Sequence, residues 1–348
     1  MKKPILWAAA TLLFLSGCKK DEETTECGTA FNFNSGALIV NEGPFQGTGS
    51  ISHYDLSTNT VSNLVYEKAN CDIPAGLFIQ SAAINNGKGY IISNGSGEIQ
   101  VVDLSTFKHE KTITVSYPRY MAFEGDKGYI TNGTSDGKVF VIDASNNIID
   151  SVLVGTGPEN IYSTGTKLIV PNTGVYPNVD SVISIIDIND LSVTSVVGWS
   201  KPTDVVEDAS GNIWVSCQGA ASWETPGKLP PAFVKIDVNT NAVLETIMVG
   251  DSAESISKIA ISPAKDIIYY YKSDGVYRLG INGDYKEDAA LITGAGSYGI
   301  EVDPVSGDIF VFDAKDYSAS GEVRRYDSNG TLISTSVTGV SPNGAIFN

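Results

Sequence analysis

Histidine is nearly missing from this sequence, with two in 348 residues. His53 and His109 stand far apart, and neither has a histidine or cysteine at metal-ligand spacing, so no zinc-type site can be assembled. No Ser-His-acid grouping can be placed on one face either. Basic residues are also scarce: 23 Lys and Arg against 40 Asp and Glu leave a formal net charge of −17. A chain this acidic repels nucleic acid, and no basic stripe with interleaved aromatics offsets the repulsion. Apolar runs are short. Ile5 to Phe14 is too brief for a spanning helix, and no segment keeps a helical period over a useful length. Only four cysteines are present. Cys27 and Cys71 can pair outside the cytoplasm, which would leave Cys217 over. Gly294-Ala295-Gly296-Ser297-Tyr298-Gly299 has the GxGxxG spacing, but no helix follows to bind phosphate.

What the chain does have is a repeat. An apolar segment leads through a polar turn into a second apolar strand that ends in a polar residue. A loop follows, then a third alternating strand, a polar turn and a fourth strand. The third strands begin at Ile51, Ile99, Val139, Ile183, Phe233, Val276 and Val323. They recur about every 40 to 50 residues, the length of a four-stranded propeller blade. Six end in Asp, as in Ile51-Ser52-His53-Tyr54-Asp55; the sixth unit has Gly280 there. An Asp at that point can bond the amides of the turn after it, which makes a structural role the expectation rather than a metal site. A parallel β-solenoid has shorter repeats and lacks this rhythm. The fold class predicted is all-β: a seven-bladed β-propeller of four-stranded blades. The N-terminal unit starts at Ala37 as a second strand, and Ser341 to Phe347 matches a first strand. The first blade is therefore expected to be closed by the C-terminal strand, which removes an exposed edge.

Strands that zigzag outward from an axis sort the loops by face. Entry to the innermost strand and the loop between second and third strands share the face at the channel mouth. The aligned entries place Gln80, Arg119, Glu159, Thr203, Ser257, Tyr298 and Asn343 around that mouth, with Tyr120, Asn160, Asp204 and Lys258 next to them. All the ring residues can hydrogen-bond, and they differ from blade to blade, as one asymmetric ligand requires. Longer loops add Tyr176, Trp223 and Tyr317 to the same face. Tyr120, Tyr176, Trp223, Tyr298 and Tyr317 are the expected stacking surfaces. Catalytic residues, metal ligands and cofactors are not assigned.

Leu15-Ser16-Gly17-Cys18 follows the basic start and the apolar run, and it resembles a bacterial lipobox. That resemblance implies a signal peptide over 1–17, diacylation of Cys18 and an acidic tether over 18–34, with the propeller over 35–348. Burying two or more acyl chains, at roughly 0.8 kcal/mol per methylene, anchors a protein stably. Lys19-Lys20-Asp21-Glu22-Glu23 is similar to the tag that exports some lipoproteins to the outer cell surface. The blade grammar, with Pro-x-x before an apolar strand and then Val-x-x-Ile-Asp, resembles the YncE-like propellers. With the lipobox it resembles the surface propeller lipoproteins of gut-type Gram-negative bacteria, some of which capture vitamin B12 for a TonB-dependent transporter. The resemblance implies a non-enzymatic, outer-membrane binding protein facing the cell exterior. Its small-molecule ligand would be a corrinoid and its partner a TonB-dependent transporter. A protein–protein scaffold at the outer membrane is the alternative, and a propeller hydrolase or lyase is a third reading, since one scaffold hosts many functions.

Overall fold

The computed structural model describes residues 28, 31, 33, 35–225, 227–256, 258–272, 275–282, 289–296 and 298–348. Cys18, Cys27 and Ser257 lie outside them.

Seven antiparallel four-stranded sheets form the ring. Their innermost strands, from blade two to blade seven, are Ile79–Asn85, Pro118–Glu124, Tyr162–Ser163, Pro202–Glu207, Ile259–Ile261 and Gly299–Val302. Blade one takes its innermost strand, Pro342–Phe347, from the C-terminus. That strand pairs with Ala37–Asn41, with Ala37 opposite Phe347 and Ile39 opposite Ala345. Each third strand begins within a residue or a few of its predicted start.

Burial on both sheet faces explains the composition of the second strands. In blade five, Ile213, Trp214, Val215, Ser216 and Cys217 are all buried. Successive side chains point to opposite faces of a strand. Ile213, Val215 and Cys217 therefore pack toward blade four, while Trp214 packs toward Phe233, Ile268 and Tyr270 of blades five and six. Blades seven and one meet the same way, through Phe310, Phe312, Ile39, Tyr54 and the closing residue Phe347. Every blade thus completes its neighbour's core, and no blade can bury its apolar surface alone.

The repeated Asp is a turn residue. Asp55 accepts from the Ser57 and Thr58 amides at 2.8 and 3.1 Å, and Asp143 from Ser145 and Asn147 at 2.9 Å each. Asp187, Asp237 and Asp327 accept from the amides two residues on at 2.8, 2.9 and 3.0 Å, and Asp103 from Thr106 at 3.0 Å. The Ser57 and Ser105 hydroxyls, which donate to Asp55 and Asp103, and these amide hydrogen bonds hold the carboxyls of Asp55, Asp103, Asp143, Asp237 and Asp327 below their ordinary range. The polar residues that end second strands act similarly at the other face. Asn172 donates to the Val182 carbonyl at 2.9 Å and to Ser184 Oγ at 3.0 Å, pinning the base of its loop.

One feature had no signature in the apolar pattern. The segment joining blades one and two carries a one-turn helix, Val65–Ala69, whose Val65, Tyr66 and Ala69 join the core between those blades. Cys71, just beyond it, is disulfide-bonded. Gly28 lies close to the end of this helix, where a Cβ on it would stand 2.3 Å from the Ala69 carbonyl oxygen. Cys217 is a buried free thiol.

Deleting 341–348 should expose the Ala37–Asn41 edge and remove the cooperative melt of the intact ring; a truncated chain with an unchanged melt would contradict closure by that strand. The helix supplies a second prediction. Glu67 is buried with Oε2 unpartnered, and burial pushes its carboxyl up to about 7 from 4.5. The unfolded chain releases this proton near the ordinary value, so between those pH values the folded chain binds more protons. Stability therefore falls as pH rises through that window, by on the order of 3 kcal/mol. Glu67→Gln should melt higher than the parent above pH 7, with the gap closing below pH 4.5.

Candidate functional site

Six of the seven residues expected in the polar ring are described, and most of them are occupied in holding blades together. Asn343 of blade one donates to the carbonyls of Ile79 and Gln80 in blade two, at 3.2 and 3.1 Å. Blade two reaches blade three through Ser81 Oγ to the Arg119 carbonyl, 2.6 Å, and Gln80 Nε2 to Tyr120 OH, 3.1 Å. Blades three and four are clasped by Arg119, whose Nε and a terminal nitrogen donate to the two oxygens of Glu159 at 2.8 and 2.5 Å. Two parallel bonds fix both planes. Asn160 of blade four donates to Asp204 of blade five. Asp204 also accepts from the Ile259 amide of blade six at 3.1 Å. Tyr298 of blade seven donates to Glu42 of blade one. Gly299 permits the close approach there: a Cβ would stand 2.3 Å from the Asn343 carbonyl oxygen.

One contact crosses the axis instead of following the ring. Lys258 of blade six donates to Tyr120 OH of blade three, with its ammonium 4.4 Å from the centre of the Tyr120 ring. Burial alone would lower the Lys258 pKa, but Tyr120 and Asp204 hold it above the ordinary range, so it stays charged.

The residues expected at one mouth are divided among several places. Tyr120, Asn160, Asp204 and Lys258 lie in the channel, lining a cavity of about 470 Å³ that continues to Ser262, Pro263 and Pro304, on the opposite face. Tyr120 is therefore an internal strut member rather than an open stacking surface. Thr203 is buried and donates to the Lys201 carbonyl of its own turn at 2.9 Å, not to a neighbouring blade. Tyr298 is half-buried, held by Glu42 and packed edge-on against Tyr317 at 5.3 Å. Arg119 and Glu159 do reach the mouth face, where they line a hollow of about 480 Å³ with Tyr117 and Tyr176. A second hollow on that face, about 590 Å³, is lined by Lys201, Trp223, Glu224 and Ser252–Ser255.

Loops raise the rim between these hollows. The blade-four insertion forms a small hairpin, Gly174–Val175 with Asn178–Val179. It joins the blade-five insertion through Thr225, whose amide donates to the Pro177 carbonyl and whose carbonyl accepts from Val179, at 3.1 and 3.2 Å. Trp199 braces the second insertion by donating to the Pro230 carbonyl at 2.8 Å. Aromatic side chains stand out from this face: Tyr117 is 50 % exposed, Tyr317 54 %, Trp223 71 %, Tyr176 75 % and Phe45 81 %. Phe45 and Tyr117 were not among the residues expected from sequence, although both sit in mouth-face loops that the blade count defines. Glu301 was also missed. A lone charge in the innermost strand Gly299-Ile300-Glu301-Val302 was the available signal.

Arg119→Ala should leave the Glu159 carboxylate without its partner and lower stability by roughly 1.5–3 kcal/mol. Arg119→Lys should recover only part of it, because a point charge cannot make both bonds. Urea midpoints of the two variants check this.

Comparison with known proteins agrees with the fold. A Bacteroides thetaiotaomicron quinoprotein alcohol dehydrogenase-like protein superposes with a TM-score of 0.69 at 20 % identity, over 91 % of this chain and 79 % of that one. The periplasmic gluconolactonase of Pseudomonas aeruginosa gives 0.66 at 11 % identity, over 90 % and 98 %. Hydrazine synthase of Kuenenia stuttgartiensis gives 0.57 at 16 %, over 75 % and 92 %. No curated protein matches the chain. Residues 35–347, which span all seven blades, match the family described as "Domain of unknown function (DUF5074)", and the chain belongs to that family.

Proposed function

We propose that this member of the DUF5074 family is a non-enzymatic binding protein that captures a sizeable polar ligand on the mouth face. The observation that carries this reading is a set of exposed aromatics at two hollows lined by charged and hydrogen-bonding residues, Tyr117 and Tyr176 at one and Trp223 at the other, with Phe45 and Tyr317 exposed in other loops of that face. Aromatic surface left in water on rigidly braced loops favours a partner that covers it. Bracing limits the entropy lost on binding. The ligand proposed is a corrinoid, a broad macrocycle with faces for stacking and amide arms for hydrogen bonds. That choice, the lipid anchor at Cys18 on the outer membrane, and delivery to a TonB-dependent transporter rest on the sequence resemblance. The polar ring contributes by holding the blades in register beneath the loops.

Calorimetric titration of the purified chain with cyanocobalamin should show binding, with thermal protection to match. Trp223→Ala and Tyr176→Ala should each weaken it about tenfold, a loss of roughly 1.4 kcal/mol. No heat and no protection would overturn the corrinoid assignment. Capture of an outer-membrane protein that is abolished by the same two variants yet indifferent to cobalamin would favour the scaffold reading.

A further inference from the structure

The channel cavity is a built site that the mouth face does not use. Its walls come from the innermost strands of blades five, six, seven and one, and they are mostly apolar: Val205, Ile259, Ile261, Val302, Ile346 and Phe347. Its inner end is polar, formed by Lys258, Asp204, Asn160, Tyr120 and Glu301. The Lys258–Tyr120 strut forms part of this end, and the cavity extends from it to Ser262, Pro263 and Pro304 in the turns of the opposite face.

We propose that this cavity binds a small primary ammonium compound with a short apolar tail, its ammonium against Glu301 and its tail along Val302, Ile346 and Phe347.

The argument is one of charge and partners. Asp204 is already supplied with donors: Asn160, the Ile259 amide at 3.1 Å and its own Val205 amide at 3.0 Å. Lys258 is turned to Tyr120. Glu301 lines the same cavity within electrostatic reach of Lys258 and Asp204; it accepts from the backbone N–H of Ala345, and among the described residues no side chain hydrogen-bonds to it. One ammonium therefore stands against two carboxyl groups. Nearer the opening, Lys265 pairs with Glu207 at 2.6 Å, so that pair adds no net charge, and blade one presents only Ala345, Ile346 and Phe347. Glu301 is partly exposed to this cavity, and a poorly solvated carboxylate that shares one ammonium with a second carboxylate takes up a proton instead. Burial, with Asp204 adding to it and Lys258 opposing it, pushes the Glu301 carboxyl up to about 8. An incoming cation supplies the missing charge and displaces that proton. A carboxylate ligand would place another negative charge beside Glu301. A divalent metal lacks ligands, since no group of three His, Cys, Asp or Glu among the described residues is placed to hold one. An ammonium needs one carboxylate and tolerates apolar walls.

Phenethylamine and hexylamine are the probes, titrated calorimetrically into the purified chain. Affinity should rise about tenfold per pH unit up to roughly pH 8 and then level off, as Glu301 ionises. Buffers of different ionisation enthalpy should report close to one proton released per amine at pH 7. Glu301→Gln, a neutral match in shape, should lose the pH dependence and at least tenfold in affinity while keeping the fold. Trp223→Ala should leave amine binding unchanged, which separates this site from cobalamin binding at the mouth. No binding at millimolar amine, binding indifferent to Glu301→Gln or to pH, or preference for phenylacetate over phenethylamine would each overturn the proposal.

Discussion

The pairing of Pro342–Phe347 with Ala37–Asn41 is the constraint on which the other contacts depend. A propeller blade buries one face against each neighbour, so an open ring would leave two faces and a strand edge in water. Phe347 packs on Phe310 of blade seven at 5.2 Å between ring centres, and Asn343, on the same strand, bonds two carbonyls of blade two. One short strand therefore joins blades seven, one and two, and ties the end of the propeller sequence to its beginning.

Closure also sets the geometry of the axis. Once the ring is shut, seven strand entries converge on one circle, and their polar side chains meet across blade boundaries. Arg119 with Glu159, Asn160 with Asp204, and Tyr298 with Glu42 are consequences of that convergence. Such bonds leave little of the ring unsatisfied. Exposed aromatic surface stands outward on loops that closure does not consume, where the blade-four and blade-five insertions brace each other, and in the channel Glu301 has no side-chain hydrogen bond among the described residues.

Much of this was legible in the amino-acid order. Period-two alternation and Asp-led turns are local, so blade number, strand positions and the split first blade could be read directly. The exposed positions of Tyr176, Trp223 and Tyr317 followed from counting loops by face. The sharing of roles among ring residues was not legible. Gln80, Arg119, Thr203 and Asn343 occupy equivalent sites in the repeat, yet Arg119 clasps a neighbour while Thr203 turns back to its own loop. Equivalent positions in sequence meet different neighbours because the blades differ in the residues they offer across each boundary.

The sequence by itself determined an all-β, seven-bladed ring closed by its own C-terminal strand, because those features depend on short-range periodicity and on the count of repeats. Only the tertiary structure decided that Lys258 reaches across the axis to Tyr120, 138 residues away. The same holds for the division of one expected mouth into two rim hollows and a channel that extends to turns of the other face, and for the place of Glu301 in that channel with Lys258 and Asp204. These depend on distances between blades far apart in the chain, and on which charges are left unpaired after the ring closes. No local pattern encodes either quantity.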